Sequence, residues 1–358
     1  MIFTYKEIDH SIYFFHEHIA YIFKQMFRHD LSKYDEKILV QPDFIPIINA
    51  AKKTLLEPLK EIILIYNKLP IGDKLQLEIA FSCNNSIDSF GNKSIHPIKF
   101  EELNPLISSK LQTYCVNLWD KYPQVLQMET DFGTVKDHYD KLVSESNCDA
   151  LVCPFCGIET FEPSEGKYRE AYDHANAKAN YPFASINFKL LFPACFKCNS
   201  NEKRSTDTLI NEDGIRREVY YPYDSTVTSD DLQIIIVPQE PYDTQNLKTL
   251  LSSISWRFES KRNGYSDEKL ESWDDIYGIK RRYRERLIRL EKEWFYELHS
   301  KFKDSIELGQ TFADFQYKFM RSAKYQILIS GMGIIKHSYF TFLFSIPNFE
   351  KRLNETIS

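Results

Sequence analysis

Cys153-Pro154-Phe155-Cys156, Tyr172-Asp173-His174, then Cys195-Phe196-Lys197-Cys198-Asn199 and Lys203: read in this order, these residues decide how the middle of the chain folds. Each Cys-x-x-Cys spacing lets two sulfurs of one tight turn face a single metal, and Pro154 and Gly157 suit that knuckle. Four thiolates fill a tetrahedral zinc site completely, so the expected Zn²⁺ is structural, with no position left for an activated water. A redox role for the Cys-x-x-Cys pairs competes. Two pairs flanking one module favour zinc. The linker 157–194 holds thirty-eight residues, more than a bare zinc ribbon needs, so a further element is expected to fold inside it.

That linker carries the Asp-His step. Asp173 and Asn199 offer hard oxygen ligands suited to Mg²⁺ or Mn²⁺. His174 is a candidate general base, because an imidazole near neutral pKa can take a proton from water. Lys189, Lys197, Lys203 and Arg204 are candidate contacts to nucleic-acid phosphates. Each has a plainer reading. Asp173 and Asn199 are also helix-capping types, and Lys203 with Arg204 also suits a solvated charge pair.

The order, spacing and cysteine frame together resemble the HNH endonucleases, in the zinc-reinforced, four-cysteine branch of the ββα-metal nucleases, over roughly residues 150–207. The resemblance implies a β-strand ending in the Asp-His step, with Asp173 and Asn199 on a divalent ion and His174 as base. It implies hydrolysis of phosphodiester bonds, in DNA before RNA. Two positions depart from the family pattern. Ala175-Asn176-Ala177-Lys178 stands where the family has a Leu-Pro-Lys type of sequence. Leu190 stands where it often has an Asn that orients the histidine, a role Asn187 is placed to take. The alternative is a zinc-stabilised nucleic-acid-binding or assembly module whose nuclease site has decayed. HNH proteins with large helical regions also resemble effectors of bacterial anti-phage or restriction systems, some paired with a separate ATPase.

The rest of the chain agrees with an intracellular protein. Its 358 residues allow two or three domains, and 43% hydrophobic with 27% charged content is globular. Gly is scarce at 11 residues, and neither a Walker-type nor a dinucleotide-type glycine loop occurs. A net charge of −6 disfavours unassisted, nonspecific DNA binding. Met1 to Glu7 carries charge where a signal peptide needs apolar residues, and the apolar tail 325–346 is broken by Lys336 and His337. A soluble, cytoplasmic protein is expected. Cys83, Cys115 and Cys148 have no paired spacing and read as spare thiols.

Periodicity predicts an α+β, predominantly helical protein around a central ββα-metal module stabilised by a four-cysteine zinc site. The expected division is a helical region 1–147, the zinc-knuckle module 148–210 and a mainly helical region 211–358. Helices are predicted over 6–28, 48–67, 99–120, 131–146 and 311–346, and a long charged helix or helix pair over 270–303, with 75–81 open between strand and helix. Strands are predicted at 218–223 and 232–237. Lys280 to Arg289 forms a basic cluster interleaved with glutamates, either a solvated face or a steering patch for nucleic acid.

Overall fold

Apolar residues three and four apart make most of this chain helical. The computed structural model describes residues 1–145, 151–161 and 169–355. Cys148 lies outside the described residues, as does the last residue of the helix predicted over 131–146. Contacts divide the chain into two units. One comprises Tyr5–Ser146 with Glu162–Asp224, the other Met1–Thr4, Asn147–Phe161 and Ser225–Ser358.

In the first unit, α1 (Ile12–Arg28) buries Phe15, Ile19, Ile22, Phe23 and Met26 along one stripe and stops where His29 turns extended. The predicted helix over 48–67 is interrupted. Ala51 leaves helical geometry, a widened turn covers Lys52–Leu56, and α2 (Glu57–Tyr66) starts with Pro58 in its first turn. Proline fits there because a first-turn N–H has no intrahelical partner. The ambiguous stretch 75–81 lies inside a helix, α3 (Ile71–Asn84), which begins just after Pro70. α4 (Pro105–Lys121) is capped by Asn104, whose side chain accepts from the Leu106 N–H at 3.0 Å. α5 (Val135–Glu145) follows, and shorter helices cover Glu36–Leu39, Ile45–Ala50 and Leu126–Phe132.

These helices hold a small antiparallel ladder, β1 (Tyr172–His174) against β2 (Leu191–Pro193), with Asp173 opposite Phe192. The intervening segment is pinned by Phe183, whose ring meets Phe23 and Phe81 edge-to-face at 5.4 Å each. Burying such a ring is worth about 1.5–3 kcal/mol, enough to fix one conformation of a segment otherwise built from short turns.

The second unit contains the other antiparallel pair, β3 (Leu232–Pro238) and β4 (Trp256–Arg262), in register from Leu232↔Arg262 to Pro238↔Trp256. The stretch 270–303, expected as one long helix or a helix pair, is a pair, α6 (Asp267–Tyr277) and α7 (Ile279–Glu307), parted by Gly278 at φ 59°. Only glycine adopts that left-handed geometry cheaply. The predicted tail helix is likewise two, α8 (Phe312–Ile329) and α9 (Gly333–Phe344). A Cβ on Gly333 would lie 2.2 Å from the Gln326 carbonyl oxygen, so the turn between them closes only around glycine.

The strand predicted at 218–223 does not form. Val219 N–H bonds the Phe90 carbonyl and the Pro222 carbonyl accepts from Tyr5 N–H, two isolated bonds to different segments instead of a ladder. Pro222 has no N–H to offer a partner strand. No described helix is long and apolar enough to cross a membrane.

Candidate functional site

The four cysteines of the two Cys-x-x-Cys motifs come together. Their sulfurs lie within 4.8 Å of one another and all four residues are buried. Tetrahedral zinc with Zn–S bonds of about 2.3 Å needs sulfurs about 3.8 Å apart, so the cluster suits such an ion after a small contraction. None of the four is in a disulfide. The first knuckle is shaped by its backbone. Gly157 N–H bonds the Cys153 carbonyl at 2.7 Å, and Gly157 takes φ 59° to turn the chain. Ile158 N–H then points at the Cys156 sulfur, 3.4 Å away, a donor that stabilises thiolate charge. These four buried cysteines can bind a metal ion such as zinc.

Asp173 and His174 are successive residues of β1, so their side chains leave opposite faces. They meet different partners accordingly. His174 Nε2 lies 3.1 Å from the Ser185 carbonyl oxygen, and Trp119 stands edge-on to its ring at 5.0 Å. A carbonyl only accepts, so Nε2 carries the proton and Nδ1 keeps the lone pair. Burial, then the nearby Lys178 and Lys203 charges, lower the His174 pKa to about 3, against a smaller upward pull from the Ser185 carbonyl. The imidazole is therefore neutral at physiological pH, as a base must be, and its low basicity sets a limit on its proton affinity.

Asp173 faces Lys203. The ammonium donates to Asp173 Oδ1 at 2.6 Å and to the His174 carbonyl at 2.8 Å, with the carboxylate and ammonium side chains 2% and 1% exposed. Lys203 closes a widened helical turn, Lys197–Lys203, whose end is marked by Arg204 at φ 52°. The phosphate contact expected of Lys203 is thus not available in this arrangement, because its charge is engaged inside the protein. Arg204, Lys197 and Lys189 are exposed.

Asn199 lies on the same turn, its N–H on the Cys195 carbonyl at 3.0 Å. Its Nδ2 donates to the Tyr172 carbonyl at 3.4 Å, the peptide group that leads into Asp173. The amide oxygen remains as its ligand atom. The donor set of one carboxylate and one carboxamide has the hardness Mg²⁺ or Mn²⁺ requires. As it stands, however, Asp173 is already matched by the Lys203 cation, and an ion there would have to share or displace it.

Three contributors were not legible as site residues. The Ser185 carbonyl holds His174. Asn187, the expected substitute, instead bonds Asn85 Oδ1 at 3.2 Å and its own turn. His138, fully buried, places Nδ1 2.5 Å from the Tyr172 hydroxyl and Nε2 3.2 Å from the Tyr13 hydroxyl, and so anchors the strand from behind. Lys178, one of the charges that lower the His174 pKa, pairs with Asp120 of α4 at 2.6 Å.

The basic cluster of α7 is largely consumed internally. Arg281 pairs with Glu285, Lys280 with Asp274 and Arg286 with Glu159, while Arg284 lies over the Trp256 ring at 4.8 Å. It is a packed and ion-paired face. No family model, curated protein or solved structure matches this chain.

Proposed function

We propose that the chain is a divalent-metal-dependent HNH endonuclease acting on phosphodiester bonds, with DNA as the expected substrate. One observation carries the reading. An antiparallel β-pair ends in Asp173-His174, and a Cys-x-x-Cys knuckle leads directly from its second strand into a helical turn bearing Asn199. His174 is held as the Nε2–H tautomer by a main-chain carbonyl, which leaves Nδ1 to accept a proton. A divalent ion on Asp173 and Asn199 would offset charge on the phosphate and on the departing oxygen. Lys197, Arg204 and Lys189 are the exposed cations for flanking phosphates. A role as the nuclease arm of a bacterial anti-phage or restriction system, with a separate ATPase, belongs to the same proposal.

A second reading has its own support. The buried Asp173–Lys203 pair already neutralises the carboxylate, and His174 is only 9% exposed beneath Trp119. Both features suit a zinc-stabilised nucleic-acid-binding or assembly module with a silent site. Supercoiled plasmid incubated with Mg²⁺ or Mn²⁺ separates the two. Nicking by the wild type, lost in Asp173→Asn and Asn199→Ala, supports the nuclease; binding without nicking supports the module.

A further inference from the structure

α1 presents His16, Ala20, Lys24 and Arg28 at four-residue intervals, which places them on one face of the helix. Opposite them, α3 and the residue after it present Glu78, Phe81, Ser82 and Asn85 at helical spacing. Between the two faces lies a groove of about 320 Å³, at the lower end of the range of small-molecule sites, about 300–1,000 Å³. Its apolar wall is the edge-to-face pair Phe27–Phe81, with ring centroids 5.9 Å apart. Its basic side is Lys24 and Arg28, both exposed, and among the described residues neither has a carboxylate partner. This contrasts with the α7 cations, which are mostly ion-paired.

Hydrogen bonds tie the groove's wall to the segment that holds His174. Asn85, at its end, donates to the Phe183 carbonyl at 3.4 Å and accepts from Asn187 Nδ2 at 3.2 Å. Those residues flank Ser185, whose carbonyl holds His174. Positive potential from Lys24 and Lys189 also reaches His16, whose pKa is lowered to about 4 chiefly by burial.

We propose that this groove binds one nucleotide unit, its phosphate on Lys24 and Arg28 and its base against the half-buried Phe27. The chemistry follows from the lining. Two exposed cations meet a phosphate, the half-buried Phe27 ring meets a base face regardless of sequence, and the exposed Glu78 carboxylate accepts from base-edge donors. The nucleotide is either part of a strand threaded to the candidate site or a free mononucleotide. The proposal stands independently of the cleavage reading, because binding is read without added divalent metal.

The test titrates the full chain with a fluorescein-labelled single-stranded oligodeoxynucleotide and, separately, with AMP, in the wild type and in Lys24→Glu/Arg28→Glu. Both positions are exposed, and circular dichroism confirms that the variant folds. At least one ligand binds the wild type and is weakened by about tenfold or more in the variant, with a salt dependence reduced by about one to two phosphate contacts. Loss confined to the oligonucleotide assigns a strand path, and loss for AMP assigns a mononucleotide site. Wild-type binding unchanged by the double reversal, or binding of neither ligand, overturns the proposal.

Discussion

Replacing Lys203 by Met should be among the most costly single changes in the first unit. The side chain keeps its length and apolar stem but loses the ammonium that lies 2.6 Å from Asp173 and 2.8 Å from the His174 carbonyl. Asp173 is 2% exposed, so water cannot replace the lost partner. Removing one member of such a pair leaves an uncompensated buried charge, at a cost of about 3–5 kcal/mol. For a unit of this size, with about 2–4 °C per kcal/mol, the expected fall in Tm is roughly 6–20 °C. Asp173→Asn in the Lys203→Met background removes the orphaned charge and should recover most of that loss. If Asp173 also binds a divalent ion, Mn²⁺ should raise the Tm of Lys203→Met more than that of the wild type, and should fail to do so in the double variant. Differential scanning fluorimetry reads all of these. A Lys203→Met protein within about 1 kcal/mol of wild type would refute the burial argument.

Other consequences are equally direct. Purified protein should carry one zinc per chain by metal analysis, and Cys156→Ser or a strong chelator should lower Tm, since structural zinc contributes folding free energy directly. Gly157→Ala should cost about 1–2 kcal/mol in urea unfolding, because the residue sits at φ 59° and an added Cβ meets Ile2 at 3.3 Å. Burial lowers the His138 pKa to about 3, well below its ordinary 6.5. Between those values the unfolded chain binds a proton that the folded chain does not, so this group's contribution is full above pH 6.5 and falls as pH drops toward 3. His138→Gln should flatten that fall in a series of denaturation midpoints.

The cysteine frame was legible because metal ligation imposes short, fixed spacings on the chain. The helices were legible because burial of one face imposes a period. What escapes a sequence reading depends on contacts distant along the chain. Lys203 looks like any lysine beside an arginine, and only the fold reveals that it is buried against a carboxylate thirty residues earlier. The Ser185 carbonyl has no side-chain signature at all. Strand β4 carried no prediction although Trp256, Phe258 and Ser260 alternate with Arg257, Glu259 and Lys261, a period-two pattern masked by its charges. The break at Gly278 was likewise available in composition, but a long charged helix absorbs one glycine at modest cost, so spacing alone did not decide between one helix and two.

Chemical rescue at His174 tests the central claim most directly. If His174 supplies the base, His174→Gly should nick supercoiled plasmid about 10²–10⁴-fold more slowly than wild type in Mn²⁺, and imidazole added to the buffer should restore a concentration-dependent part of that rate. Nicking by the glycine variant at the wild-type rate would contradict the account, as would a wild-type protein that leaves the plasmid intact.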